Sequence, residues 1–164
     1  MHELLLDGQV PGEDWRGFME PEVIIGISGI YNLRLLRDSN SHPAYQEFLS
    51  SAFGTSEDVW DTVSPGLWNG QAGENPAWAL GKMLVLVSSS GDELVDISQI
   101  EGMAEMSENW QSKQCGKLRT EVWKDMLSIG HDEIWSGGLG MASVLERVLE
   151  LFFENGGAVL KNNQ

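Results

Sequence analysis

KMLVLVS, residues 82–88, runs directly into SSGDELVD, residues 89–96. The first part holds an unbroken apolar core, Met83 to Val87, with no alternation between apolar and polar positions. A short run of this kind suits a strand buried on both faces, as in a parallel sheet covered by helices. A second such run, EVIIGI at 22–27, lies upstream, and a third candidate, EVWKDML at 121–127, lies downstream. Helical signals separate them. His42-Pro43 predicts a helix through Phe53, with Pro at the first helical position and Gly54 just past its end. Asp96 with Gln99 three residues on resembles a capping box and predicts a helix from Ile97 to about Gln111. Met141, Leu145, Val148 and Phe152 predict a final helix over about 139–154, stopped by Asn155-Gly156-Gly157. Strands alternating with helices give an α/β fold with a parallel sheet. No internal boundary is visible, so 1–157 read as one domain and 158–164 as a frayed tail.

Composition sets outer limits. The 164 residues are 41% hydrophobic, which is enough for a buried core. Lys and Arg number 10 against 25 Asp and Glu, a net charge of −15, so the expectation is no nucleic-acid partner and no anionic-lipid partner. No apolar run approaches the ~20 residues of a membrane-spanning helix. The N-terminus lacks the basic region of a secretory signal, and a cytoplasmic protein is the expectation. The single Cys115 excludes an internal disulfide and a Cys-rich zinc site. His42, Cys115 and His131 lack metal-ligand spacing, so no metal is expected.

In open parallel sheets, ligands and reacting groups collect at the carboxyl ends of the strands. Ser28 and Tyr31 follow the first run, Asp92 the second, and His131 the third. An acid after one strand and a histidine after the next can form a working pair. The carboxylate accepts from one ring nitrogen and fixes the tautomer, which frees the other nitrogen to move a nucleophile's proton. That chain order, acid then His, is the order used in α/β hydrolases. Taken singly, Asp92 also reads as a turn residue and His131 as a solvated loop residue.

Four strings carry a more specific likeness: GISGIYNLRLL at 26–36, HPAYQEFLSSAFGTSEDVWDTVSP at 42–65, MLVLVSSSGDELVD at 83–96 and GHDEIW at 130–135. Together they resemble the C-terminal half of the kynurenine formamidases (arylformamidases) of the α/β-hydrolase superfamily. The resemblance implies the C-terminal part of an α/β-hydrolase fold. It makes Asp92 the triad acid and His131 the triad base, with Asp96 a competing acid better placed as a helix cap. It also implies hydrolysis of N-formyl-L-kynurenine to kynurenine and formate with no cofactor. Tyr31 and Trp135 are the candidates to line a pocket for that small-molecule substrate, formylkynurenine or a related amide or ester.

The family pattern also requires a His-Gly-Gly oxyanion segment and a Gly-x-Ser-x-Gly elbow, and the chain has neither. In Gly26-Ile27-Ser28-Gly29-Ile30 the second Gly comes one position early and no apolar helix follows directly, so Ser28 reads as a turn residue. Asn32 stands where the family often has Asp. Two further readings remain open: a general carboxylesterase, and a non-catalytic hydrolase remnant or partner-binding protein. If the strand at 22–27 lacks a neighbour, its free edge predicts an oligomer.

Overall fold

A computed structural model describes residues 21–68, 83–114, 118–136 and 138–160. Three strands form one parallel sheet in sequence order: β1 (Val23–Ile27), β2 (Met83–Ser89) and β3 (Arg119–Leu127). Two match the sequence expectation to within a residue at each end, and β3 begins two residues early. Val23 faces Met83 in register, and Met83 in turn faces Arg119. The β2–β3 ladder slips near its end: Val87 pairs with Trp123 but Ser89 with Leu127, so two steps on β2 span four on β3. Such a bulge re-aims the chain leaving the strand, and here that chain is the loop carrying His131.

Every residue of β2 is buried, and its alternating side chains feed two separate cores. Met83, Val85 and Val87 join Ile27, Leu127, Ile134, Val144 and Val148. The helical members come from α5 (His131–Ser136) and α6 (Leu139–Leu160). On the other face Leu84 and Leu86 pack with Ile100, Met103 and Leu118 under α4 (Ser98–Gln114). The unalternating run at 83–87 is thus explained: neither face of that strand meets water.

The chain between β1 and the next strand folds into α1 (Leu33–Ser39), α2 (Pro43–Phe53) and α3 (Glu57–Thr62) around a third core of Leu33, Leu36, Leu49 and Trp60. The helix over 43–53 has the predicted bounds, and Gly54 supplies the left-handed φ of +77° that ends it. The other two helices were not read from the sequence. Asn32 is the N-cap of α1, its Oδ1 accepting from Leu35 N–H at 3.0 Å. Arg34 then forks onto Asp61 at 2.6 and 2.5 Å and reaches Glu57 at 2.7 Å. Arg37 also pairs with Glu57, and its guanidinium lies 5.4 Å from the Trp60 ring centre. Two arginines therefore bind α1 to an acidic α3 that has no apolar periodicity to announce it.

Three further expectations need correction. Gln99 does not complete a capping box. Asp96 alone caps α4, accepting from Ser98 N–H at 2.9 Å. The Gln99 amide is instead buried against the turn after β1, where it accepts from Tyr31 N–H and Asn32 N–H and donates to Asn32 C=O, each at 2.9 Å. One side chain thereby satisfies two N–H groups that would otherwise be desolvated without partners, and it adds a second donor to the Asn32 C=O, which also accepts from Leu36 N–H at 3.0 Å. The last helix continues through Asn155-Gly156-Gly157 to Leu160. Glycine lowers helix propensity by about 1 kcal/mol but does not by itself impose a stop. Finally, His131 is not a loop residue, because α5 starts at it. Cys115, Trp78 and residues 161–164 lie outside the described residues.

Tyr31 folds back over the end of β1, and the two nearby glycines make room for it. A Cβ on Gly26 would sit 2.0 Å from Tyr31 Oη, and one on Gly29 2.5 Å from it. Burial pushes the Tyr31 phenol up to about 12, and the hydroxyl has no hydrogen-bond partner. Gly26→Ala is expected to cost about 1–3 kcal/mol by overpacking. Tyr31→Phe is expected to be neutral or stabilising, because it deletes an unpartnered buried hydroxyl. The double variant should recover part of the Gly26→Ala loss. Urea unfolding of the four proteins checks this, and strictly additive losses would contradict it.

Candidate active site

β2 and β3 end side by side, and their carboxyl-end loops are stitched together by one hydroxyl. Ser89 Oγ donates to Ile129 C=O at 2.5 Å and accepts from Ile129 N–H at 2.9 Å and Gly91 N–H at 3.3 Å. A serine hydroxyl has one proton and two lone pairs, so all three are used. Ser90 N–H donates to Leu127 C=O at 2.9 Å. Gly91 must be glycine for a steric reason: a Cβ there would lie 2.8 Å from Ser128 O and 2.9 Å from the Ile129 carbonyl carbon. The two loops touch backbone to backbone.

That contact brings Asp92 and His131 together. His131 Nδ1 and Asp92 Oδ2 are 2.9 Å apart, across 39 positions of sequence. The Asp92 side chain is 1% exposed and that of His131 23%. Asp92 Oδ1 accepts from Leu94 N–H at 2.9 Å and Val95 N–H at 3.0 Å, which anchors the carboxylate while Oδ2 meets the imidazole. Burial alone would push this carboxyl up. Hydrogen bonds from the Val95 N–H, His131 and the Leu94 N–H favour the charged form, and the carboxyl lies below the ordinary aspartate value. Glu93 Oε2 accepts from the His131 backbone N–H at 3.3 Å, one of the free donors at the start of α5. With Nδ1 engaged, Nε2 is the nitrogen available for proton transfer.

Ser28 closes β1 at φ +46°, a left-handed conformation that costs a non-glycine residue about 1–3 kcal/mol. It lies just past the end of β1, in the turn where the sequence reading placed it. Its hydroxyl is buried and completes no hydrogen bond, to His131 or to any other group.

An apolar cavity of about 340 Å³ opens beside the pair. Ile30, Leu36, Ala44, Tyr45, Phe48, Leu94 and Val95 line it together with His131. Neither predicted pocket residue is among them. Tyr31 packs with the Leu84–Leu86 core on the α4 face of the sheet, and Trp135 projects from α5 with 53% of its surface exposed. The lining of this cavity comes from α2, from Leu36 of α1, and from Ile30, Leu94 and Val95. The only sequence signal for it was that Tyr45 and Phe48 lie three apart on a helix whose buried anchor is Leu49. Among the described residues, no group of three or more His, Cys, Asp or Glu could hold a metal ion, and no helix is long and apolar enough to cross a membrane.

Parallel strands with an acid after one and its histidine partner after the next form part of an α/β-hydrolase fold. The comparisons with known proteins agree. The chain is 38% identical over 128 residues to a kynurenine formamidase-like hydrolase of Fusarium equiseti, a match covering 77% of this chain and 40% of that protein. It is 30% identical over 133 residues to a kynurenine formamidase of Aspergillus versicolor, covering 71% of this chain and 44% of that one. The chain is thus kynurenine formamidase-like in sequence, and it spans about two-fifths of the length of the curated relatives it matches. No family model matches it, and no solved structure matches it significantly.

The lowered Asp92 carboxyl makes a stability prediction with a definite sign. A carboxyl depressed in the folded state stabilises above its unfolded value, near ~3.9, and loses that contribution as pH falls through the lower folded value. Asp92→Asn should therefore be less stable than the wild type by about 1–3 kcal/mol at neutral pH. The gap should close below about pH 4. Urea midpoints measured from pH 7 to pH 2.5 test this, and a gap that is constant with pH would count against it.

Proposed function

We propose that this segment supplies the acid and the base of a serine hydrolase acting on the formamide of an aromatic amine, as in N-formyl-L-kynurenine. The observation that carries the reading is the pairing of a buried Asp92 with a partly exposed His131 at the rim of an apolar cavity. In this reading Asp92 holds the His131 tautomer and stabilises the imidazolium. His131 Nε2 takes the proton of a serine as that serine attacks the formyl carbon. The same nitrogen then returns the proton to the leaving amine, and water releases formate from the acyl-enzyme. The apolar cavity takes the aryl group, with Phe48 and Tyr45 as the aromatic contacts.

The nucleophile in this scheme is not Ser28. An attacking oxygen must share its proton with the imidazole, whereas the Ser28 hydroxyl makes no hydrogen bond to His131. No serine of the chain sits in a Gly-x-Ser-x-Gly string. The test is a chimera in which the part of the Fusarium relative that this chain does not match is joined to residues 22–160. It should release formate from N-formylkynurenine, and His131→Ala should cut kcat by at least ~10³-fold. Phe48→Ala should raise KM more than it lowers kcat, because it removes binding common to ground and transition states. A folded chimera active on short acyl esters but not on the formamide would favour the carboxylesterase reading. A folded chimera inert to both would favour the non-catalytic one.

A second expectation concerns association. β1 is paired on one side only among the described residues, and Val23 to Gly26 are only half-buried. An open strand edge of this kind is a template for pairing. The 164-residue chain is expected to self-associate. Sedimentation velocity showing a monomer at tens of micromolar would refute this.

A further inference from the structure

We infer that Tyr45 is a positioning residue, whose hydroxyl steadies the Asp92 carboxylate through the single peptide group that joins Leu94 to Val95. The inference rests on the reading of Asp92 and His131 as acid and base. That peptide is bonded at both ends. Its N–H, on Val95, donates to Asp92 Oδ1 at 3.0 Å. Its carbonyl, on Leu94, accepts from Tyr45 Oη at 3.2 Å, across 49 positions of sequence. In a trans peptide the N–H and the C=O point in opposite directions. Phenol hydroxyl, peptide and carboxylate therefore stand in one hydrogen-bonded chain. Each bond in such a chain polarises the next, so a carbonyl that accepts makes the N–H of its own peptide a stronger donor.

Tyr45 can hold that peptide because the rest of its side chain is held elsewhere. It stands on α2 and packs on the core of Leu33, Leu36, Leu49 and Trp60. The Asp92 loop has no such support of its own, since neither helix nor strand runs between Ser90 and Ile97. The arrangement also discriminates between the two donors on Asp92 Oδ1. Leu94 N–H donates to the same oxygen at 2.9 Å, but it belongs to the preceding peptide, whose carbonyl is that of Glu93. The hydroxyl thus acts on the Val95 donor and not on the Leu94 donor. Tyr45, Leu94 and Val95 line the apolar cavity together with His131. The side chain that walls the cavity therefore reaches the acid through two hydrogen bonds. A group seated against its ring bears on the Asp92–His131 pair without touching Asp92. Phe48 lines the same cavity from the same helix but carries no polar atom to do this.

The experiment is amide hydrogen exchange, read residue by residue by NMR, on the 164-residue chain and on Tyr45→Phe and Phe48→Ala. No measurement needs turnover, so a chimera that fails to hydrolyse and a failed inference here are separate results. Tyr45→Phe keeps the ring in its core and removes only a hydroxyl whose bond lies at the surface, so the fold is kept. In Tyr45→Phe the Val95 N–H is expected to exchange at least about 2-fold faster, less than the loss of a whole hydrogen bond would give. Its proton resonance should move upfield, and the Leu94 N–H should be unchanged. Phe48→Ala opens the same cavity wall without removing a hydrogen bond, and it should move neither amide. An unchanged Val95 N–H in Tyr45→Phe would overturn the inference. Equal acceleration at Leu94 and Val95 would also overturn it, because it would report a loop loosened as a whole. So would an effect of Phe48→Ala on Val95 as large as that of Tyr45→Phe, because packing rather than the hydroxyl would then hold the loop.

Discussion

β2 has no face in water, and the rest of the structure is organised by that constraint. Seven consecutive buried residues need cover above, below and on both edges. α5 and α6 supply one face, α4 the other, and β1 and β3 supply the edges. The strand must nevertheless end somewhere, and its last residue, Ser89, is polar. Its hydroxyl meets three backbone groups of the two loops that leave the sheet. The burial that stabilises the fold therefore also fixes the point from which Asp92 and His131 depart.

The Asp92–His131 pairing is then a consequence of backbone geometry more than of side-chain chemistry. Gly91 admits the 128–129 backbone to van der Waals contact, and the slip in the β2–β3 ladder turns the chain toward it. Asp92 needs this rigidity. A carboxylate with 1% exposure is stable as an anion only if dipoles replace the lost water. The Leu94 and Val95 N–H groups belong to its own loop, so the turn that buries the charge also solvates it.

Much of this was legible in the residues because it depends on local pattern. The strands over 22–27, 82–88 and 121–127 were marked by apolar runs, and the pairing of Asp92 with His131 followed from where those runs end. What was hidden depends on partners far away in sequence. Gln99 looked like a cap because Asp96 stands three residues before it. Its actual partners are 67 and 68 positions away. α3 is held by Arg34 and Arg37 across a gap of about twenty residues or more, and a helix stabilised by ion pairs from another element leaves no periodic trace. Tyr31 and Trp135 were placed in the pocket by sequence adjacency to strand ends, yet adjacency says nothing about which face a side chain takes. Tyr31 turned into the α4-side core, and the room for it was recorded in Gly26 and Gly29.

The cavity and the pair have different structural origins, which bears on how the chemistry and its specificity can vary. The pair hangs from β2 and β3, the most constrained part of the molecule. Most of the apolar lining comes from α1, α2 and the turn leading into them, a cluster with its own small core around Leu36, Leu49 and Trp60. The two are joined by a few contacts: Gln99 to the Tyr31–Asn32 turn, Gly66 N–H to Tyr31 C=O at 2.7 Å, and Tyr45 Oη to Leu94 C=O at 3.2 Å. Exchanging Phe48 or Ala44 on the exposed side of α2 would alter the shape of the cavity without touching any group that holds Asp92 or His131. The sheet thus fixes where Asp92 and His131 meet, and the helical cluster above it shapes the apolar space beside them.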